Sequence, residues 1–167
     1  MPRDSSIAQR QQYCPGTVVL GQQYRLRIAE LTKDSSMEKR ELAGFEKKSF
    51  CMSFAGGEIW IEHLDGLYEH TELALQKFEM DYEKLSRPSS PSVLAINLDE
   101  TNITETLIAS ITEALLTSKK RLRRVAFVGV GRIPRKIFQK KLAEATFLFA
   151  FDNDFEHAKR WLVTETR

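Results

Sequence analysis

SVLAINL, residues 92–98, is a short run of almost unbroken apolar side chains. The Pro/Ser breaker RPSSPS (87–92) precedes it, and Asp99-Glu100 closes it. A strand covered on one face alternates polar and apolar residues; a run apolar at nearly every position fits a strand covered on both. Two further runs of this kind follow, RVAFVGV (124–130) and TFLFAF (146–151). The segments between them carry a helical period. Ile103, Leu107, Ile111, Ala114 and Leu115 share one face of 103–118. Residues 133–144 predict a basic helix, with Pro134 in the first turn, where its missing N–H costs nothing. A last helix over 154–163 turns Phe155, Ala158, Trp161 and Leu162 inward, and Asp152 or Asn153 is placed to cap it. Apolar strands alternating with amphipathic helices predict a mainly parallel sheet with helical crossovers.

Upstream the pattern changes. Residues 48–54 read as a strand, Ala55-Gly56-Gly57 as a tight turn using the Gly-Gly pair, and 58–64 (EIWIEHL) as its antiparallel partner. The two-residue alternation puts Ile59, Ile61 and His63 on one face and Trp60, Glu62 and Leu64 on the other. A helix follows over 69–85, with Leu73, Leu75, Phe78, Tyr82 and Leu85 as its apolar stripe and the acids and Lys77 elsewhere. The expected order is β-β-α-β-α-β-α-β-α, an α/β fold with a mixed, mainly parallel sheet. Residues 1–46 read as an N-terminal extension, partly flexible, in which 17–31 suits either a strand or a short helix. Residues 47–167 form the α/β domain.

Composition narrows the function. Of 167 residues 42% are hydrophobic, so a sizeable core is possible without staples. With 25 Lys and Arg against 23 Asp and Glu, the net charge of +2 exerts no global pull on nucleic acid or membrane. Cys14 and Cys51 are too few for a disulfide framework or a zinc site, and His63, His70 and His157 do not cluster with them. The start MPRDSSIAQRQQ lacks an apolar signal core, and no apolar run approaches the length of a membrane span. A cytoplasmic protein is expected. Cys51, on a strand, is expected to be buried.

From 48 to 163 the order of elements resembles the STAS domain (sulfate transporter and anti-sigma antagonist), and within it the SpoIIAA-like family. VLAINLDETNITETLI (93–108), RRVAFVGVGRIPRKIF (123–138) and FLFAFDNDFEHAKRWL (147–162) carry the resemblance. It implies a non-catalytic regulatory module that binds a protein partner, such as an anti-sigma factor or a kinase. Anti-sigma antagonists place Asp-Ser-Ser-Gly with a phosphorylatable Ser at the first helix start after the buried strand. Here that stretch is Thr104-Glu105-Thr106-Leu107, so Thr106 falls at or next to the phosphoacceptor, Glu105 supplies a fixed negative charge, and the Gly is absent.

The residues themselves leave several readings. Thr101 or Asn102 followed by Glu105 reads as a cap or capping box; equally, the helix end presents Thr104 or Thr106 to a partner. Asn102, Thr104, Glu105 and Thr106 are the candidate partner-binding or phosphoacceptor residues. Gly129-Val130-Gly131-Arg132 ends a strand and opens a helix, where open parallel sheets hold ligands. Gly129, Gly131, Arg132, Arg135 and Lys136 therefore form a candidate site for a small anion, nucleotide or lipid, although the stretch is neither a Walker loop nor GxGxxG. Ordinarily two such glycines only make a turn.

Lys119, Lys120, Arg121, Arg123 and Arg124, then Arg132, Arg135, Lys136, Lys140 and Lys141, are a basic cluster, facing an acidic stretch from Glu58 to Glu83. Both read first as solvated faces, and secondly as a bipolar surface that docks a charged partner or a second copy, as in a homodimer. Phe127 and Phe138 are the only aromatics near the basic residues, so nucleic acid is not an expected partner. Asp99, Glu100 and Asp152 are placed to gather at strand ends, where carboxylates can hold magnesium, but no motif supports it. No Ser or Cys on a sharp turn with a His in reach marks an enzyme, and no cofactor or metal is expected.

Overall fold

The computed structural model describes residues 44–119 and 121–164. The extension expected over 1–46 falls almost wholly outside the described residues, as do Lys120 and the last three residues. The chain divides into two units, 1–38 and 39–167, and every described residue belongs to the second.

That unit holds β1 (Phe50–Phe54), β2 (Gly57–His63), α1 (Thr71–Leu85), β3 (Val93–Asn97), α2 (Glu105–Thr117), β4 (Arg124–Val128), α3 (Arg132–Lys141), β5 (Leu148–Asp152) and α4 (Phe155–Val163). The strands form one sheet in chain order, β1-β2-β3-β4-β5. β1 and β2 pair antiparallel; β2 with β3, β3 with β4 and β4 with β5 pair parallel. Each parallel step carries one helix, as the alternation of apolar runs and amphipathic segments predicts.

The register fixes two faces. Trp60, Leu94 and Val125 lie in one row across the sheet with Phe149, and Ile96 and Phe127 in the next with Phe151. This face packs against Leu73, Phe78, Leu107, Ile111 and Phe138 of α1, α2 and α3. The opposite face offers Ile59, Ile61, Ala95, Ala126 and Val128 to Ala158 and Leu162 of α4. α4 alone cannot cover five strands. Leu148 of edge strand β5 is therefore 52% exposed, and TFLFAF is not the fully buried strand its composition predicts. Phe147, just before β5, is buried.

Local chemistry differs from expectation at three places. The hairpin turns on Ala55 (φ 47°) and Gly56 (φ 81°), with Gly57 already paired to Phe54, so the left-handed pair is Ala-Gly and not Gly-Gly. α4 is capped by Asp154, whose carboxylate accepts from the N–H groups of Glu156 and His157; Asp152 instead accepts from the Asp154 N–H. Cys51 is exposed, since it lies on edge strand β1 beyond the cover of α1.

Gly129 follows β4 with φ 76°, and a Cβ there would stand 2.6 Å from the Cα of Asp99. Its N–H donates to the Asp152 carbonyl at 3.1 Å, tying three strand ends together. Gly129→Ala adds both backbone strain and a clash with main chain that cannot swing away. It is expected to lower stability by about 2–4 kcal/mol, read as a lower urea midpoint with an unchanged slope. Unaltered stability would mean that the β4 exit has room for a side chain at position 129.

Candidate functional site

The carboxyl ends of the parallel strands carry the candidate site, and two loops build it. Beyond β2 and β3 the chains stay parallel, and their backbones continue to bond. Leu64 N–H donates to the Asn97 carbonyl at 2.9 Å, Gly66 to Asp99 at 2.9 Å, Tyr68 to Glu100 at 2.8 Å, and Asn102 to Tyr68 at 2.7 Å. Thr101 locks the two loops: its hydroxyl donates to the Leu64 carbonyl at 2.6 Å and accepts from the Leu67 N–H at 3.1 Å. The Tyr68 hydroxyl meets Glu100 at 3.0 Å, and Asn102 Nδ2 meets Glu69 at 2.9 Å. Tyr68 (φ 43°) and Glu100 (φ 52°) hold left-handed backbone within this clamp. Two loops more than thirty residues apart in sequence thus form one rigid platform.

α2 rises from the platform. Its N-cap is Thr104, with extended backbone and a hydroxyl that accepts from the Leu107 N–H at 3.3 Å. This corrects the expectation of a helix starting at Ile103 with a cap at Thr101 or Asn102, because both of those side chains are engaged in the clamp. Glu105 occupies the first turn, where its charge opposes the dipole favourably. Thr106 is exposed in that same turn, beside exposed Glu105 and near exposed Asn102, while Ile108 is fully buried. Asn102, Thr104, Glu105 and Thr106 therefore gather at one end of α2. Thr104 is occupied with capping, and Thr106 is open to the outside.

The candidate anion residues sit at the neighbouring strand end. Gly131 is the N-cap of α3 without a side-chain cap, and exposed Arg132 and Lys136 stand in its opening turns. Arg135 bends inward: its guanidinium lies 5.4 Å from the Phe151 ring centre and reaches the Val130 carbonyl at 3.4 Å, while its Nε is buried without a partner.

The basic and acidic stretches do not survive as two surfaces. Arg124 is buried, its guanidinium donating to the Trp161 carbonyl and lying 5.4 Å from the Trp161 ring centre. Lys119, Arg121 and Arg123 precede β4 and Arg132 and Lys136 follow it, so the cluster is split between the two ends of that strand. On the acidic side Glu62 and Asp81 are buried. Phe127 and Phe138 are both fully buried in the core. Asp99, Glu100 and Asp152 form no metal cluster among the described residues.

Two further polar groups were not legible. Asp65 accepts from Lys47 and pairs with His63 Nδ1 at 2.8 Å, and His63 stacks on Phe50. Burial pushes the Asp65 carboxyl up, but the His63 and Lys47 hydrogen bonds outweigh it and hold the group at about 2. Glu62 lies in the same row as Ile96 and Phe127, so its side chain is enclosed between sheet and α1. Two-residue alternation had placed it with Trp60 correctly. Only the packing of α1 turned that face into interior. Lys77 and Asp81, expected on the outer side of α1, are buried with it.

No family model and no curated protein matches the chain. Among solved structures it is similar to an uncharacterized protein from the DUF3478 family with a SpoIIAA-like fold, from Shewanella loihica PV-4. The TM-score is 0.46 and the identity 16%, over 69% of this chain and 92% of that one. Among the described residues no helix is long and apolar enough to cross a membrane.

Removing the Thr101 hydroxyl leaves the buried Leu64 carbonyl and Leu67 N–H short of a partner. Thr101→Val is expected to cost about 1–3 kcal/mol and to speed hydrogen exchange across 64–71 and 98–104 ahead of the sheet. Asp65 has its own signature. Its carboxyl lies below the ordinary 3.8, so its stabilisation is fully present above that value and is lost as pH falls toward about 2. Asp65→Asn should remove about 1–2 kcal/mol at pH 7 and almost nothing near pH 2, in urea titrations at both.

Proposed function

We propose that the protein is a non-catalytic regulatory module that binds a protein partner through the opening turn of α2 and the clamped loops beneath it. The exposure of Thr106 next to a cap made by another residue, Thr104, carries this reading. A hydroxyl with no structural duty, on a helix end whose free N–H groups favour negative charge, is suited to contact or modification. Glu105 adds a fixed charge beside it. The clamp supports the same reading in another way: a preorganised surface loses little entropy on binding. The STAS-like order of elements is consistent with a switch of this kind, with an anti-sigma factor or kinase as the class of partner.

A second reading places a small anionic ligand at Gly129–Lys136. The observation favouring it is Arg135, whose buried Nε lacks a partner beside exposed Arg132 and Lys136. A phosphate or carboxylate there would meet backbone N–H groups and a guanidinium together. Asp99 and Asp152 flank the same turn and oppose it.

Photo-crosslinking from position 106 in cell extract separates the readings. The first expects one dominant crosslinked protein that co-purifies at fixed ratio with the wild type. Binding should be lost in Thr106→Glu with Asn102→Ala, and kept in Glu113→Lys on the far part of α2, with thermal midpoints within a few degrees. Full binding by the folded double variant would refute the first reading. A thermal shift with phosphate-bearing ligands, abolished by Arg132→Ala with Lys136→Ala, would support the second instead.

A further inference from the structure

Glu62 is 1% exposed, yet it has no ion pair among the described residues. Its Oε2 accepts from the indole Nε1 of Trp60 at 2.9 Å, and its Oε1 is buried with no hydrogen bond. The charged groups facing it all come from α1. Lys77 Nζ, itself 4% exposed, bonds Asp81 at 2.9 Å and the Ser49 hydroxyl at 3.4 Å. Asp81 takes a second ammonium, Lys84, at 2.8 Å. From the chain before β1 comes Ser49; from its own strand, Trp60; from β3 its row neighbour is the apolar Ile96. The nearest cation is thus committed to a different carboxylate.

A carboxylate enclosed this way, with only the neutral Trp60 indole and Ser49 hydroxyl to favour its charge beside the Lys77 ammonium that Asp81 already holds, is costlier than the neutral acid. Burial, reinforced by the Asp81 charge, pushes the Glu62 carboxyl up to about 8. The same geometry holds Asp81 ionised: burial raises it, but the Lys77 and Lys84 hydrogen bonds prevail and lower it.

We infer that Glu62 is the proton-binding member of a buried polar lock between β2 and α1, which lets α1 stay packed on β2 while its carboxyl is neutral and loosens that contact when it ionises. Ionisation creates two buried carboxylates competing for Lys77. Either the ammonium leaves Asp81 and Ser49 for Glu62, or water enters to solvate Glu62. Both disturb the contact that seats the middle of α1. The direction follows from linkage. The folded carboxyl binds its proton more tightly than the unfolded one, so the Glu62 contribution to stability is fully present below the ordinary 4.5 and is lost as pH rises from there through about 8.

The test uses the full chain and Glu62→Gln, which keeps the shape and the neutral state. Between pH 6.5 and 9.5 the wild type should lose roughly 4–8 °C more of thermal midpoint than Glu62→Gln. Amides of 71–85 should speed up in the wild type beyond the ordinary base-catalysed rise, and the variant should show only that rise. Equal pH slopes in the two proteins would overturn the proposal. Should Glu62→Gln fail to fold, carbon NMR of glutamate-labelled wild type decides. One glutamate carboxyl titrating between roughly pH 7 and 9 is expected, and every glutamate midpoint below about 6 would overturn the lock.

Discussion

A parallel sheet sealed on both faces leaves the side chains of its inner strands no route to water. β2, β3 and β4 are in that position, with α1, α2 and α3 on one side and α4 on the other. Most of their residues are aliphatic or aromatic, and the seal stabilises the fold through their burial. The polar exceptions must be resolved inside the protein. Arg124 does so with the Trp161 carbonyl and ring at the end of α4. Asn97, at the last position of β3, uses its side chain on the Asp99 N–H at the mouth of the loop. Glu62, on the covered face of β2, has the Trp60 indole and the neighbouring Ser49 hydroxyl but no cation of its own. It becomes the group whose charge state the fold constrains most.

The same seal shapes the candidate site. Because β2 and β3 run in the same direction, their exits emerge side by side, and the loops 64–68 and 98–102 can go on exchanging backbone hydrogen bonds. Thr101 then fills the places where loop groups would be unsatisfied. α1 begins directly after one loop and α2 directly after the other, so both helix starts are positioned by one clamp. Any partner surface built at the opening of α2 inherits the rigidity of the sheet. Glu62 stands one residue from the end of β2, and the loop carrying Tyr68 and Glu69 continues from it, so the buried lock and the exposed platform share a strand.

Much of the fold was legible because it depends on local pattern. The runs at 92–98 and 124–130, Pro134 in a first turn, and the period of Leu107, Ile111 and Leu115 each state a structure within a few residues. The site was legible only in outline. Thr106 could be placed near a helix start, but which threonine capped the helix depended on the contacts Thr101 and Asn102 make with a loop more than thirty residues earlier. Arg124 reads as a surface charge because its partner, the Trp161 carbonyl, is distant in sequence, and Lys77 because an i,i+4 pair with Asp81 is equally at home on an exposed helix face.

The sequence by itself determined the element order, the mixed sheet with its opening hairpin, and which apolar residues seek the interior. Hydrophobic period and turn chemistry act over a turn of helix or a pair of strands, and nothing distant can change their sign. Tertiary structure alone decided which strands lie at the edge and which polar side chains lose their water. β5 is as apolar as β4, yet it ends the sheet half-covered, since exposure depends on how many helices remain to cover it. Glu62 is of a residue type that seeks water, yet it is enclosed, since α1 crosses the face it shares with Trp60 and a carboxylate cannot choose its dielectric.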